Sequence, residues 1–336
     1  MGLEHHHRRR SRRNGVILLA VFGIAAIVLF AAAMHIEQAQ HVQERGVATQ
    51  GIGQLKRISY EGEEYVEKSA MTSILLMGID RAGTAVSYGA RQGGQSDFLL
   101  LVVIDHNTKT IHQLQIDRDT ITEVETLGIL GNPIGTKAMQ ICLAHSFGIT
   151  PEENCGFAQR AVENLLEGIE VDYYIALDMD AIGTLNDALG GVTVTLEEDF
   201  SAVDPLMQKG ATLQLSAQQA ETLVRSRMEI GDGTNEARMQ RQRLFMQAAI
   251  RQLRERLQQE PEYITELFDA LEPDMTANIQ RGQLLNEVNQ AYRYEILSVE
   301  DLDGEHAIGS DGFVEFHVAP QATAQWVVKT FYTRGK

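Results

Sequence analysis

The chain has 336 residues and is acidic, with 29 lysine and arginine residues against 46 aspartate and glutamate residues and a formal net charge of −17. Five of the basic residues and one of the acidic residues precede residue 35, which leaves 24 basic and 45 acidic residues in 35–336. Such a surface repels the phosphate backbone and excludes nucleic acid as a partner. A phosphorylated ligand therefore needs local arginines or a divalent cation.

The N-terminal part has the pattern of a membrane anchor. Residues 16–34 are nineteen positions without a charge, and five arginines lie within 8–13. At about 1.5 Å rise per residue, such a segment can cross a bilayer core of about 30 Å. Because basic flanks stay inside, we expect a cytoplasmic tail at 1–15, a single transmembrane helix at 16–34 and an extracellular remainder. A signal peptide cleaved near Ala31-Ala32-Ala33 is the alternative.

The remainder predicts a stalk with a short hairpin at 35–71 and one α/β domain at 72–336. Continuous apolar runs at 74–79 and 98–104 are typical of strands buried on both faces. Further strands are predicted at 111–116, 172–177 and 192–196, and helices at 137–147, 157–165, 181–189, 236–259 and after the capping box of Ser216 and Gln219. This mixture predicts an α-β-α sandwich, with a mixed central sheet covered by helices on both faces.

Arginines late in the sequence predict an anion site. Arg225 and Arg227 share a face if the backbone is extended. Arg238, Arg241 and Gln242 share a face if it is helical. Guanidinium groups bind phosphate through paired hydrogen bonds, so two such segments aimed at one point predict a phosphate or pyrophosphate clamp. Solvated surface charge is the alternative.

Acidic residues at strand ends predict a metal site beside these arginines. Asp80 ends the first buried strand and Asp97 begins the next, and strand ends are where open α/β sheets build sites. Two carboxylates near phosphate-binding arginines suit Mg²⁺ (or Mn²⁺), with ordinary turn aspartates as the alternative. Arg118, between Asp117 and Asp119, ends the third strand and is either a further phosphate ligand or part of a solvated ion pair.

The two cysteines, Cys142 and Cys155, predict a disulfide, since the environment outside the membrane permits one. Closing a loop of about a dozen residues stabilises a fold by ~3 kcal/mol in the chain-entropy model. Two buried thiols are the alternative.

Several segments occur in a characteristic order. They are LLMGIDR at 75–81, SDFLLLVVID at 96–105, QIDRDT at 115–120, TKAMQICLAHSFG at 136–148, VDYYIALDMDAIGTLNDALGGVTVTL at 171–196, LSAQQAETLVRSRM at 215–228 and GDGTNEARMQRQR at 231–243. With these segments the sequence resembles the LytR-CpsA-Psr family of cell-wall glycopolymer ligases over about 72–250, and more weakly beyond. A single N-terminal anchor with an outside domain also fits that family.

The resemblance implies a magnesium-dependent phosphotransferase. Family members take a glycopolymer, such as teichoic acid or capsule, linked through pyrophosphate to a polyprenyl lipid. They transfer it with one phosphate to a sugar hydroxyl of peptidoglycan, and polyprenyl phosphate leaves. A polyprenyl-pyrophosphate hydrolase and a non-catalytic binder of lipid-linked wall polymer are the alternatives.

The resemblance also implies roles for individual residues. Asp97 is the expected metal-binding acid and Asp80 a supporting acid. The residues expected around the pyrophosphate are Arg118, Arg225, Arg227, Arg238 and Gln242, with Lys137 in the same pocket and Arg241 beside them in the Arg-x-x-Arg-Gln motif. The lipid tail is expected in a hydrophobic tunnel between sheet and helices.

Three positions depart from the family pattern. Gln95 stands where an arginine is usual, Asn235 where an acid is usual, and Asp117 where a proline is frequent. Asp232 or Glu236 is expected to take the role of the missing acid. Asp80 or Asp232 is the expected acceptor of the proton from the sugar hydroxyl.

Overall fold

A computed structural model describes residues 56–80, 93–128, 131–179, 181–226, 234–260, 263–291 and 294–335. The predicted anchor at 16–34, Arg227 and Asp232 lie outside the described residues. Within those residues, no helix has both the length and the apolar character needed to cross a membrane.

The described residues alternate between strands and helices. The strands are β1 (Arg57–Tyr60), β2 (Glu63–Glu67), β3 (Met71–Asp80), β4 (Gln95–Asp105), β5 (Thr110–Ile116), β6 (Ile121–Leu127), β7 (Pro133–Gln140), β8 (Tyr173–Asp178), β9 (Thr193–Thr195), β10 (Thr212–Gln214), β11 (Met275–Ala277), β12 (Glu295–Asp301), β13 (Gly304–Ile308), β14 (Val314–Val318) and β15 (Tyr332–Arg334). The α-helices are α1 (Pro151–Leu165), α2 (Ala181–Ala188), α3 (Ala217–Arg225), α4 (Asn235–Gln259), α5 (Tyr263–Leu271), α6 (Arg281–Ala291) and α7 (Ala322–Phe331).

The central sheet has six strands in the order β11-β8-β3-β4-β5-β12. The pairs β3–β4, β4–β5 and β11–β8 are antiparallel, whereas β3–β8 and β12–β5 are parallel. The predicted mixed sheet is therefore confirmed, and β4 and β5 form a hairpin. β3 and β4 lie in the middle, which explains why each contains a continuous apolar run, at 74–79 and 98–104.

Helices cover both faces of this sheet. On one face, Leu75 and Leu101 belong to an apolar cluster that includes residues of α1 and α7. On the other, Leu76 and Leu100 belong to a cluster with residues of α5 and α6. Burying one such side chain contributes about 1.5–3 kcal/mol. Because successive side chains of a strand point to opposite faces, the order of residues decides which helices each face packs against.

A third apolar cluster joins α2, α3, α4 and α5 to the β9–β10 hairpin. The capping box that begins α3 is present in both halves, between Ser216 and Gln219. Two glycines with positive φ, Gly190 (77°) and Gly191 (90°), follow the end of α2. This cluster holds α3 and α4 side by side, and both helices supply arginines.

One predicted helix is wrong. Residues 137–147 form the end of β7 and a 3₁₀ helix, Ile141–Ser146, instead of an α-helix. Lys137 pairs with Val124 across the β6–β7 hairpin. The buried residues Ile141, Cys142 and His145 of the 3₁₀ helix are spaced as on an α-helix, which led to the wrong prediction. The polar strand before them lacks the alternation of apolar residues that would have indicated a strand.

The predicted hairpin near the N-terminal end of the domain is present as β1 and β2, with Glu61 and Gly62 at positive φ in its turn. β2 also pairs with β15, so the first and last described strands lie in one three-stranded sheet.

Candidate functional site

A β-bulge places Asp97 at the centre of the candidate site. Gly78 pairs with Phe98 and Ile79 with Ser96, so Asp97 is the extra residue on β4. Bulges redirect side chains and are frequent beside active sites. The Asp97 side chain is 8% exposed, so its charge needs compensation from neighbouring groups.

Arg118 is the first of two arginines that contact Asp97. It follows β5, and its Nη1 donates to Asp97 Oδ1. Its Nη2 donates to Gln95 Oε1 at 2.5 Å and to the Cys142 sulfur at 3.2 Å, and its Nε lies 3.3 Å from Asp119 Oδ1. Burial acts to lower the pKa of Arg118, but Cys142, Asp97 and Asp119 raise it above its usual value, so the guanidinium stays charged.

Arg238 contacts Asp97 from the other side. Its Nη1 donates to Asp97 Oδ2 at 2.7 Å, and its Nη2 donates to Asn235 Oδ1 at 2.7 Å, one helical turn earlier on α4. Asn235 Nδ2 donates to Asp117 Oδ1 at 2.8 Å. Asp97 thus bridges two buried guanidinium groups, and removal of one partner from such an arrangement leaves an uncompensated buried charge.

A second ion pair is more exposed. Arg225, the last residue of α3, donates from Nη2 to Asp80 Oδ1 at 3.0 Å, and the two side chains are 24% and 25% exposed. Asp80 is the Cα partner of Gln95 across β3 and β4, so this pair lies next to the Arg118 contact. Gly94 allows the backbones of positions 94 and 80 to lie close together. A Cβ at position 94 would lie 2.5 Å from the Asp80 carbonyl oxygen.

The structure therefore brings together most of the sequence-predicted residues. They are Asp80, Gln95, Asp97, Arg118, Arg225, Asn235 and Arg238. They come from β3, β4, the segment after β5, α3 and α4, and their convergence is what the predicted clamp requires.

Other predicted residues lie elsewhere. Arg241 does not share the environment of Arg238. It pairs with Glu198 at 3.0 Å and donates to the Ser226 carbonyl oxygen. Lys137 is exposed on β7. Arg227 and Asp232 are outside the described residues.

Gln242 lines an apolar cavity beside the ion pairs. The cavity lies between β3, β8, α2 and α4, and most of its lining is aliphatic or aromatic. Gln242 is 4% exposed, and both of its side-chain amide atoms are buried without a hydrogen-bond partner. An unsatisfied buried amide is costly, and in this cavity it is available to a polar group of a ligand.

The charged residues are sequence neighbours of residues that line the apolar cavity. Gly78, Phe98 and Val224 line the cavity. Asp80 is two residues beyond Gly78, Asp97 directly precedes Phe98, and Arg225 directly follows Val224. The site thus joins an apolar interior to a rim of arginines and carboxylates.

The predicted disulfide is wrong, since Cys142 and Cys155 are not bonded to each other. Their sulfurs have separate neighbours, Arg118 for Cys142 and His145 Nε2 at 3.6 Å for Cys155. Burial raises the pKa of the Cys142 thiol to about 11, although Arg118 opposes this shift. The thiol is therefore protonated at neutral pH and unreactive.

Sequence reasoning missed two contributors to this site. Asp117 was considered only as a departure from the family pattern and as a possible ion-pair partner of Arg118, yet it accepts a hydrogen bond from Asn235. The triplet Asp117-Arg118-Asp119 was the available signal. His306 Nε2 lies 3.0 Å from Asp117 Oδ2, across 189 positions of sequence. No local pattern predicts a contact of that range.

The carboxylates can be tested for their fit to Mg²⁺. The described residues include no group of three or more His, Cys, Asp or Glu side chains that could hold a metal ion. Mg²⁺ in phosphoryl-transfer sites nevertheless needs only one or two carboxylates, because substrate phosphates and waters supply its remaining ligands. Asp97 and Asp80 supply two carboxylates, but Asp97 accepts from Arg118 and Arg238 through both of its oxygens and Asp80 pairs with Arg225.

Comparison with known proteins agrees with the geometry. A family model described as the LytR_cpsA_psr family matches residues 31–326. The chain belongs to this family. A polyisoprenyl-teichoic acid–peptidoglycan teichoic acid transferase, TagU, of Bacillus cereus is 27% identical over 265 residues, which are 78% of each chain.

Solved structures are also similar to this chain. The structure of gbs0355 from Streptococcus agalactiae has a TM-score of 0.61 and 24% sequence identity, and the match covers 79% of this chain and 90% of that one. TagT bound to LI-WTA has a TM-score of 0.57 and 20% identity over 77% and 89% of the two chains. At this level of identity both comparisons show that the mixed α/β fold is shared.

Proposed function

We propose that this protein is a membrane-anchored phosphotransferase. It joins a glycopolymer, carried on a polyprenyl pyrophosphate, to peptidoglycan through a phosphodiester and releases polyprenyl phosphate. The observation that carries the proposal is the convergence of Arg118, Arg225 and Arg238 beside an apolar cavity. A lipid diphosphate has this combination of an apolar tail and a charged head.

The relatives support the same proposal. TagU of Bacillus cereus is named for transfer of polyisoprenyl-linked teichoic acid to peptidoglycan, and the match covers most of both chains. We therefore propose a teichoic-acid-like polymer as donor and a peptidoglycan sugar as acceptor. The predicted anchor at 16–34 would hold the domain outside the cell membrane, near both substrates.

The apolar cavity is the proposed site of the lipid tail, and it must widen to hold one. Its volume is about 70 Å³, smaller than the roughly 300–1,000 Å³ of typical small-ligand sites. Met77, Met179 and Met246 lie in its wall. Methionine side chains adapt their shape easily, so they are suited to a cavity that opens on binding.

The arginines are proposed to bind the diphosphate. Arg225 at the rim can reach a phosphate if it leaves Asp80, and the buried Arg118 and Arg238 keep positive potential at the inner end of the site. Charge neutralisation and alignment are the main contributions that a protein makes to phosphoryl transfer. Gln242 is placed to donate to the phosphate nearer the lipid.

The proposed reaction is an in-line displacement. The oxygen of an acceptor sugar hydroxyl bonds to the phosphorus that carries the glycan, and the bond from that phosphorus to the bridging oxygen breaks. Polyprenyl phosphate leaves with that oxygen. Asp80 is the proposed acceptor of the hydroxyl proton, because it is the carboxylate at the exposed rim.

Mg²⁺ is the proposed cofactor, held by Asp97 and Asp80. When bound, it would neutralise charge on the diphosphate oxygens. Binding it requires Asp97 to share its carboxylate between the ion and the arginines that now contact both oxygens.

Product analysis tests this proposal. The full-length protein in detergent is incubated with a farnesyl-diphosphate-linked disaccharide, soluble peptidoglycan strands and Mg²⁺, and the products are analysed by mass spectrometry. We expect glycan linked to peptidoglycan through one phosphate, together with farnesyl phosphate. Free glycan phosphate without linkage would identify a hydrolase, and binding without turnover would identify a non-catalytic binder.

A further inference from the structure

A second cavity lies beside the candidate site, and the proposed function leaves it unused. It is about 270 Å³ in volume and lies between the first turns of α4, the end of β5, β12 and the β13–β14 hairpin. We call it the polar pocket. Its polar lining includes Gln115, Asp117, Glu236, Gln240, Asp301 and His306.

The β13–β14 hairpin that closes the polar pocket is fixed to the segment that carries Arg118. The Phe316 backbone N–H donates to the Asp119 carbonyl oxygen at 2.8 Å, and Thr120 and Phe316 form an isolated β-bridge. Gln140 Nε2 donates to the Val314 carbonyl oxygen at 2.6 Å. The pocket is thus held to the main site by backbone hydrogen bonds, and its position relative to Arg118 is defined.

The charge of the polar pocket disfavours phosphate. Asp117, Glu236, Asp301 and Asp303 contribute carboxylates to its wall. Its arginine, Arg243, already donates to Gln115 and to Asp301. A wall with this excess of negative charge repels a diphosphate or a polyphosphate chain. A neutral ligand that donates hydrogen bonds to carboxylates and amides suits it better.

The shape and chemistry of the polar pocket suit a sugar ring. Each sugar hydroxyl can donate one hydrogen bond and accept others, so carboxylates, amides and a guanidinium can all bind it. His306 and Phe316 both line the pocket, with ring centroids 4.8 Å apart and ring planes inclined at 49° to each other. An aromatic ring in a pocket wall can pack against the C–H face of a pyranose. The volume is just below the range of roughly 300–1,000 Å³ for small-ligand sites, which suits one ring rather than a chain.

A chain of hydrogen bonds connects the polar pocket to Asp97. His306 Nε2 lies 3.0 Å from Asp117 Oδ2, and Asp117 Oδ1 accepts from Asn235 at 2.8 Å. Asn235 accepts from Arg238, and Arg238 donates to Asp97, each at 2.7 Å. The pocket is therefore separated from the buried centre by the side chains of Asp117, Asn235 and Arg238.

From these observations we propose that the polar pocket binds a pyranose ring of one of the two glycan substrates. The proposal rests on the proposed function, since it assigns a subsite to the same reaction. The ring is either the first sugar of the donor, next to its phosphate, or the sugar of peptidoglycan that accepts the transfer. Both present hydroxyls and a C–H face, and binding experiments distinguish them.

The test uses the full-length protein with substitutions on the exposed face of α4. Gln240→Ala and Glu236→Gln remove polar groups of the pocket without opening the core, because both residues are exposed. Gln259→Ala and Glu255→Gln are the matched controls, since they make the same changes on exposed positions near the other end of α4. Calorimetry measures the affinity of three probes. They are the N-acetylglucosaminyl–N-acetylmuramic acid disaccharide, farnesyl diphosphate, and farnesyl diphosphate carrying N-acetylglucosamine.

We expect each pocket variant to weaken binding of a sugar-bearing probe by about five- to tenfold, the effect of losing roughly one hydrogen bond. The controls should bind as the wild type does, and farnesyl diphosphate should bind all variants equally. Weakening confined to the disaccharide assigns the pocket to the acceptor. Weakening confined to the sugar-bearing farnesyl diphosphate assigns it to the donor.

Equal affinity of pocket and control variants for both sugar-bearing probes would overturn the proposal. Failure of farnesyl diphosphate to bind the wild type is a separate result, because it contradicts the proposed function. A crystal soaked with the disaccharide that shows the sugar elsewhere would overturn the assignment of the pocket as the acceptor subsite.

Discussion

Two aspartates of the candidate site, Asp97 and Asp80, form ion pairs with arginines that differ mainly in burial. Asp97 is 8% exposed and holds the buried Arg118 and Arg238, whereas Asp80 and Arg225 are each about a quarter exposed. The buried contact cannot lose a partner without leaving charge in a low-dielectric interior. The rim contact can exchange partners with water or a ligand at little cost. The comparison separates a buried charge centre from an ion pair that is partly exposed to solvent.

The largest expected effect tests the buried centre. Asp97→Asn leaves Arg118 and Arg238 without their shared carboxylate, and we expect the free energy of unfolding to fall by about 3–5 kcal/mol. Asp80→Asn is the matched control and should lower it by less than about 1 kcal/mol. Urea denaturation of both variants measures the difference. Equal losses would show that burial does not distinguish the two contacts.

The rim pair should matter more for activity than for stability. We expect Arg225→Ala to reduce transfer at least about 100-fold, because removing a group that stabilises transition-state charge has effects of this size. Its unfolding free energy should stay within about 1 kcal/mol of the wild type. Kinetics and denaturation on the same preparation test both parts. Wild-type transfer rates in this variant would remove Arg225 from the reaction.

Moving a negative charge between positions 117 and 235 tests the hydrogen bond that joins them beside the buried centre. Asn235→Asp places a carboxylate beside Asp117, now 2.8 Å from the Asn235 amide nitrogen, and we expect a loss of about 1–3 kcal/mol. Adding Asp117→Asn moves the charge from the residue after β5 to the first residue of α4, and it should recover most of that loss. A double-mutant cycle measures the coupling between the two positions. Additive effects would contradict the contact.

The boundary between rim and interior is tested at Gln242. Gln242→Leu replaces a buried amide that has no hydrogen-bond partner, so we expect the free energy of unfolding to rise by about 1 kcal/mol. The affinity for farnesyl diphosphate should fall by about tenfold, because the amide is proposed to bind phosphate. A variant that loses stability and keeps its affinity would contradict both parts.

The effect that is smallest at neutral pH concerns Cys142, whose pKa is raised to about 11 by burial. The unfolded thiol loses its proton near pH 8.5, so between these values the unfolded state binds fewer protons and the free energy of unfolding falls as pH rises. Cys142→Ala should remove this dependence. Alkylation at pH 8 followed by mass spectrometry should leave Cys142 unmodified until the protein is unfolded, and a Cys142–Cys155 disulfide peptide would contradict the structure.

The sequence predicted the parts of the fold that local patterns determine. Apolar runs located β3 and β4, and Ser216 with Gln219 located the start of α3. The helix predicted at 137–147 is wrong because a polar strand followed by a 3₁₀ helix has apolar residues at helix-like spacing. The predicted disulfide is wrong because the spacing of two cysteines in the sequence does not determine whether their sulfurs face each other.

The candidate site was predicted where residue type and order were sufficient. Arg118, Arg225 and Arg238 converge as expected, yet helical spacing alone could not tell that Arg241 turns to Glu198. The contact between Asp117 and His306 depends on how the β13–β14 hairpin returns to the end of β5, which is a property of topology.

The most direct test of the central claim is the affinity of the full-length protein for farnesyl diphosphate, measured by calorimetry alongside farnesol and inorganic diphosphate. The account predicts that farnesyl diphosphate binds more tightly than either fragment, and that Arg225→Ala weakens its binding at least about tenfold while farnesol is unaffected. Equal binding of farnesyl diphosphate and farnesol, with no effect of Arg225→Ala, would contradict the claim that converging arginines hold a lipid diphosphate beside the apolar cavity.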